Sequence, residues 1–323
     1  MRAVVLQEFG PPDRLTVRQV PDPVPGPGQV LVSVEFANLT FVETQIRAGR
    51  PPVAAMAPKL PVVLGNGVGG IVTAVAADVD PELAGRRVVT LTGGSGGYAE
   101  QVAVDAAWLV EVPEKLDLAD AVALLADGRT AVGLMDIAQV AAGECVLIEA
   151  AAGGVGGLLV QLAAEAGATV VALAGGARKV AHVQDRGVAI AVDYTQPGWV
   201  ERVRAAADRI DVVFDGVGGE IGLDTFRLLR DGGRFVAFGG ASGALLPIPQ
   251  DEAEKRSIRI VRGAMRSPQE LRKLTQRALD LSADGRLRPV IGQTYPLERA
   301  ADAHAAMAGR ATIGKTLLTV RSA

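Results

Sequence analysis

Apolar positions in this chain fall into short unbroken runs, and between those runs they recur at helical spacing. The pattern is clearest from residue 144 to residue 174. Cys145–Ile148 is continuously apolar, as in a strand covered on both faces. Gly153, Gly154, Gly156 and Gly157 interrupt it; Leu158, Leu159, Val160, Leu162, Ala163 and Ala166 then repeat at helical spacing until Gly167. Residues 169–173 form the next apolar run, and two parallel strands joined by a helix make a right-handed βαβ unit. Residues 189–194, 210–218 and 233–240 repeat the strand pattern, the last two ending in glycines. Residues 257–262 alternate and predict a final strand exposed on one side, at a sheet edge.

Upstream the runs are shorter and the connections irregular. Strands are predicted at residues 3–6 and 15–20, around a turn at Gly10-Pro11-Pro12-Asp13. Pro21, Pro23, Pro25 and Pro27 remove donors and force an extended connector up to Gly28. Residues 30–37 are the strongest strand here. Residues 64–72 read as a glycine-dense turn leading into another, and residues 85–89 and 96–102 continue the series. Two Ala- and Leu-rich helices, 118–126 and 131–140, are predicted on either side of a turn at Asp127-Gly128-Arg129-Thr130. Near the end, 268–282 is an amphipathic helix presenting Leu271, Leu274, Ala278 and Leu281, followed by a helix at 297–308.

Composition narrows the class without naming a chemistry. A length of 323 residues suggests about two domains, and 49% hydrophobic with 21% charged residues is an ordinary globular balance. A net charge of −3 without basic clusters argues against a nucleic acid partner. No apolar run reads as a signal peptide or membrane span, so cytoplasmic residence without a membrane partner is expected. The one cysteine, Cys145, lies in a predicted buried strand and reads as an inert core thiol.

The glycine turn carries the first candidate chemistry. Ala151-x-Gly153-x-x-Gly156 is a variant dinucleotide fingerprint, set between a buried strand and a helix as the motif requires. Gly153 lets the backbone approach a pyrophosphate, Gly156 lets the helix pack on the strand, and the helix N-terminus supplies N–H groups. A ligand-free tight turn is the alternative. An NAD site places a carboxylate near the end of the second strand, yet no acid occurs between Thr169 and Gln184. Gly175-Gly176-Ala177-Arg178-Lys179 occupies that place, and a cationic pair suits a 2′-phosphate. The bland reading is that Arg178 and Lys179 solvate the start of the next helix.

Taken in order, the short strands, Gly96-Gly97-Tyr98-Ala99-Glu100, Asp127-Gly128-Arg129-Thr130-Ala131 and Ala151-Ala152-Gly153-Gly154-Val155-Gly156 resemble the medium-chain dehydrogenase/reductase superfamily. Within it the chain is similar to the zinc-free quinone oxidoreductase branch. The resemblance implies an α/β fold: a groES-like, β-rich catalytic domain from both chain ends (1–120 and 264–323) and a Rossmann doubly wound parallel-sheet domain (121–263), with NADPH in the cleft between them. Zinc-dependent relatives carry Gly-His-Glu-x-x-Gly, where this chain has Gly65-Asn66-Gly67-Val68-Gly69-Gly70. Thr40 and Glu43 stand where those relatives have a ligand Cys and an Asp, and the two histidines are His182 and His304. No metal is therefore expected.

Zinc-free relatives usually read Asn-Phe-x-Asp-x-Tyr-x-Arg-x-Gly here. This chain has Thr40-Phe41-Val42-Glu43-Thr44-Gln45-Ile46-Arg47-Ala48-Gly49. Gln45 in place of Tyr is no general acid, but Thr40 and Gln45 can donate hydrogen bonds to a carbonyl or quinone oxygen. Both are also readable as satisfied loop residues.

The cofactor candidates are Ala152, Gly153, Gly154, Val155, Gly156, Gly175, Arg178, Lys179 and Val217, and by resemblance further residues join them. Thr130 is expected beside the nicotinamide, or as a helix N-cap. Tyr194 packs by the adenosine 2′-phosphate, and Arg310 reaches that phosphate or else complements a helix end. Phe238, Gly239 and Gly240 border the nicotinamide ribose, or form a loop without contacts. The activity implied is NADPH-dependent reduction of a quinone or related conjugated carbonyl compound by a homodimer paired through the Rossmann sheet edge. An enone or alkenal reductase, a non-catalytic NADPH-binding protein and a secondary RNA-binding role are the rivals.

Overall fold

The computed structural model describes residues 1–262 and 267–321. Two compact units result, Met1–Arg129 with Ser267–Ala323 and Thr130–Arg266. The expected junction at 263/264 lies outside the described residues.

The second unit holds the runs that are buried on both faces. Its six described strands all run parallel, in the order Ile190–Asp193, Thr169–Ala174, Cys145–Ile148, Val212–Asp215, Arg234–Ala237, Arg259–Arg262. Numbered along the chain this is 3-2-1-4-5-6, the doubly wound Rossmann order. The order reverses between Cys145–Ile148 and Val212–Asp215, so the carboxyl ends of those two strands flank the crevice where such sheets bind ligands. Leu147, Val171, Leu173, Val213, Phe226 and Phe235 are fully buried in the core of this unit. Arg259–Arg262 is outermost, with Arg259 and Arg262 exposed.

The first unit is β-rich. A seven-stranded sheet runs through Ile291–Pro296, Lys315–Thr319, Gln29–Leu39, Gly67–Val75, Arg87–Leu91 and Val110–Glu111, with Gln101–Asp105 also pairing Gln29–Leu39. Its strands thus come from both chain ends. A smaller sheet joins Leu15–Gln19, Arg2–Leu6 and Val62–Val63. No helix among the described residues is long and apolar enough to cross a membrane.

Four expectations need correction. The two helices predicted at 118–126 and 131–140 are one helix, Leu118–Ala138, so Thr130 sits within it and not at an N-cap. Gly128 looked like a breaker because glycine is a poor helix former. Its place is fixed instead by packing against helix Pro268–Ala283: a Cβ there would meet Ala278 Cβ at 2.9 Å. The glycine-dense segment read as a turn is itself the start of strand Gly67–Val75, where a Cβ on Gly70 would lie 1.9 Å from the Ser33 carbonyl oxygen. The strand placed at 96–102 lies at Gln101–Asp105, because Gly96 and Gly97 are tied into a turn through Val63 and Gly65. The helix at 297–308 opens as a 3-10 turn, Leu297–Arg299, before α-helix Ala300–Ala308.

Candidate functional site

In the second unit the chain leaves strand Cys145–Ile148 through Glu149 and Ala150, whose φ of +48° tightens the turn. The Gly153 N–H donates to the Ala150 carbonyl at 2.8 Å, and helix Gly154–Glu165 starts at once. No side chain caps it. The N–H groups of its first turn therefore face outward with the positive end of the helix dipole. Gly153, Gly154 and Val155 are half-buried, whereas Ala151, Ala152 and Gly156 are buried. A Cβ on Gly156 would lie 2.3 Å from the Ala150 oxygen, so only glycine lets the helix sit on the turn. This cradle fits a pyrophosphate: uncapped donors beside a backbone that nothing obstructs.

Strand Thr169–Ala174 ends beside it in Gly175 and Gly176, and helix Ala177–Gln184 carries Arg178, exposed, and Lys179, half-buried, on its first turn. Gly175 faces the Tyr194 ring, to which a Cβ would come within 3.0 Å of the hydroxyl. Asp193 was not foreseen in this place. Its Oδ1 accepts from the Gly176 N–H (2.9 Å), the Thr195 N–H (2.9 Å) and the Thr195 hydroxyl (2.6 Å). Burial alone would raise its pKa, but those donors outweigh it and hold the carboxyl below the usual Asp value. Asp-x-Thr with the acid bonded two residues on is a turn signature, which could have flagged it. That oxygen is already saturated by Gly176 and Thr195 and leaves the cationic residues as the distinctive groups here.

Past the next two strands, Gly216 and Val217 meet the Phe238–Gly240 segment. The Ala241 N–H donates to Gly216 O at 3.1 Å and the Ser242 N–H to Val217 O at 2.8 Å. Val217 is buried, and Phe238, Gly239 and Gly240 are half-buried. Thr130 is half-buried on helix Leu118–Ala138.

The first unit has its own polar cluster, around helix Phe41–Arg47. Thr40 caps that helix and gives both its N–H (2.7 Å) and its hydroxyl (3.1 Å) to Glu43 Oε2. The Asn66 N–H donates to Glu43 Oε1 at 2.8 Å, and the Tyr98 hydroxyl reaches Oε2 at 3.2 Å. His304 Nε2 lies 3.2 Å from the same hydroxyl, and its Nδ1 has no hydrogen-bond partner. A lone pair is cheaper to orphan than an N–H, which assigns the proton to Nε2. His304 then donates to Tyr98 and Tyr98 to Glu43.

Burial is the main cause of each shift here. It raises the Glu43 pKa, offset in part by the Thr40 and Asn66 N–H groups and by Lys315. It pushes the Tyr98 phenol well above its ordinary value, with Glu43 adding to the effect. Burial and nearby Arg47 lower His304 to about 3, so this imidazole is neutral at neutral pH. Lys315, itself buried, is paired with Asp127 at 2.9 Å. Glu43, Tyr98 and His304 thus escaped the list of candidates, although the Glu43-for-Asp change was a signal. Thr40 and Gln45 are half-buried, and the Arg310 guanidinium, exposed, lies 5.7 Å from the Phe41 ring centroid.

These residues do not fit a zinc ion. Threonine and asparagine side chains stand where thiolate and imidazole ligands would be needed, and the Glu43 oxygens are taken by four donors. No group of three or more His, Cys, Asp or Glu among the described residues converges in a way that could hold a metal.

Residues 26–114 match the alcohol dehydrogenase GroES-like domain family and residues 186–318 the zinc-binding dehydrogenase family. The chain is 33% identical to a 2-haloacrylate reductase from a Burkholderia species, covering 98% of each. It is 30% identical to a quinone oxidoreductase of Pseudomonas aeruginosa, over 96% of this chain and 97% of the relative. The Escherichia coli quinone oxidoreductase solved as a complex with NADPH superposes with a TM-score of 0.90 at 27% identity, over 99% of this chain and 100% of that one.

Proposed function

Because the chain belongs to the quinone oxidoreductase branch of the medium-chain dehydrogenase/reductase superfamily, we propose that it reduces a quinone or a related conjugated carbonyl compound with NADPH. The observation that carries this reading is the uncapped helix N-terminus at the glycine turn, on the carboxyl side of the sheet's switch point. NADPH, when bound, supplies the hydride. The residues of the chain bind, orient and exclude water. The N–H groups at Gly153, Gly154 and Val155 hold the pyrophosphate, with Ala152 and Gly156 shaping the turn. Arg178 and Lys179, with Gly175 and Tyr194, and also Arg310 are assigned to the 2′-phosphate. Thr130, Val217, Phe238, Gly239 and Gly240 are assigned to the nicotinamide end.

Thr40 and Gln45 line the acceptor site. The Thr40 hydroxyl is held by Glu43, which fixes its orientation. With its proton on Glu43, Thr40 turns lone pairs to an acceptor, leaving the Gln45 amide as the donor to a developing oxyanion. Residues 1–120 with 264–323 act as the catalytic domain and 121–263 as the nucleotide domain of a metal-free, cytoplasmic enzyme. The outermost strand Arg259–Arg262 supports a homodimer joined along that edge. A monomer mass by light scattering at working concentration would overturn the dimer.

The likeness to a 2-haloacrylate reductase favours a second reading, hydride delivery to an activated carbon–carbon double bond. One assay separates the two: NADPH oxidation against quinones, α,β-unsaturated ketones and aldehydes, and unsaturated acids. Turnover confined to quinones supports the first reading, and turnover confined to the alkenes supports the second. Binding without turnover on the whole panel would leave a nucleotide-binding protein and sink both.

A further inference from the structure

Beneath the nucleotide turn lies a pair of acids that the reading above does not use. Glu149 directly follows strand Cys145–Ile148, and Asp215 ends the adjacent parallel strand Val212–Asp215, one register step beyond the Ile148–Phe214 pair. Both are fully buried, at 0% exposure. Glu149 Oε1 accepts from the Thr225 hydroxyl at 2.6 Å and Oε2 from the Val217 N–H at 2.9 Å. Asp215 Oδ1 accepts from the Val217 N–H at 3.1 Å and the Gly218 N–H at 2.6 Å. No N–H or hydroxyl reaches Asp215 Oδ2. The Val217 N–H is shared between Glu149 Oε2 and Asp215 Oδ1, which sets the two buried carboxyl groups side by side, an arrangement that a proton between them relieves. Asp215 is the charged group that acts on Glu149.

We propose that Glu149 and Asp215 share one proton, and that this proton holds the Gly216–Gly219 turn in the shape that receives NADPH. The argument rests on the cofactor reading above. Asp215, with two backbone donors on one oxygen, is the carboxylate; Glu149 is the acid. Burial first, and then the Asp215 charge, push the Glu149 pKa well above its ordinary value. Val217 carries the effect outward. Its N–H is shared by both acids, and its carbonyl accepts from the N–H of Ser242, two residues past the Phe238–Gly240 segment.

A carboxyl whose folded pKa is raised contributes stability that is fully present below its ordinary value and is lost as pH rises through the folded one. Two facing buried charges then repel each other, and the turn must open. Binding that requires the proton weakens by at most about tenfold per pH unit above that point. Glutamine at 149 supplies a permanent donor to Asp215, and asparagine at 215 reverses the donor toward an ionised Glu149. Neither variant needs the proton.

The test is the NADPH Kd, followed by nicotinamide fluorescence from about pH 7 to about pH 9.5, above the nucleotide phosphate's own second pKa of about 6. The wild type should weaken with rising pH, whereas Glu149→Gln and Asp215→Asn should give flat profiles. Equal slopes in all three proteins overturn the proposal. An infrared difference spectrum at pH 7, wild type minus Glu149→Gln, should show one protonated buried carboxyl. Its absence also overturns the proposal. If the wild type binds no NADPH at any pH, the cofactor reading fails, and the infrared band alone still decides the pair.

Discussion

A Gly156→Val enzyme is expected to lose NADPH binding by about a hundredfold or more and to unfold more readily than the wild type. The first added carbon would lie 2.3 Å from the Ala150 oxygen and 2.9 Å from Ala151 Cα, and both neighbours are backbone. No side-chain rotation relieves such a contact. The start of helix Gly154–Glu165 must lift off the turn, which moves the N–H groups that hold the pyrophosphate. Overpacking a tight site costs about 1–3 kcal/mol and sometimes more, and a loss of about 2.8 kcal/mol in binding alone is a factor of about 100. Thermal melts with and without NADPH separate the two effects. The wild type should gain about 2.7 kcal/mol at a hundredfold excess over Kd, while the variant gains almost nothing. A variant with an unchanged Kd would show that the turn does not carry the pyrophosphate.

Reversing both charges in Arg178→Glu/Lys179→Glu should abolish the preference for NADPH over NADH. Each charge-assisted hydrogen bond to the 2′-phosphate is worth about 1.5–3 kcal/mol. Two of them set an expected fall in the ratio of kcat/KM values of about 10²–10⁴. The loss should fall on NADPH, because NADH has no 2′-phosphate for these residues to meet. Asp193 does not confuse the result: its Oδ1 is engaged by Gly176 and Thr195 before any ribose arrives. Equal losses with both cofactors would reduce Arg178 and Lys179 to residues that merely support the helix start.

The parts of this fold that were legible in the sequence are those written in local patterns. Strands such as Cys145–Ile148 and Val212–Asp215 are buried on both faces, so each reads as an apolar run. The glycine turn joins a strand to a helix within a dozen residues, and its resemblance to one superfamily is upheld by relatives matching nearly the full length. What local patterns conceal is contact across the chain. Glu43 and Tyr98 are 55 residues apart, and Tyr98 and His304 are 206 apart. Nothing in the spacing of a phenol, an imidazole and a carboxylate announces that they meet. Glycine misled for the same reason. Gly128 and Gly70 answer to a neighbouring helix and a neighbouring strand, whereas propensity reads them as breaks in their own elements.

The unbroken helix Leu118–Ala138 sets a rule for anyone who would exchange nucleotide modules between relatives. The chain crosses from one unit to the other inside a helix whose Ala121, Val122, Leu124, Leu125, Ala131, Val132 and Leu134 are buried. A splice at this crossing therefore has no loop to absorb errors. Inserting or deleting one residue turns every later side chain by roughly 100° about the helix axis, driving polar positions into the apolar face. Chimeras joined here must keep the count of residues between Leu124 and Ala131 unchanged, and recombination among natural homologues should be filtered by helical phase rather than by sequence identity at the joint.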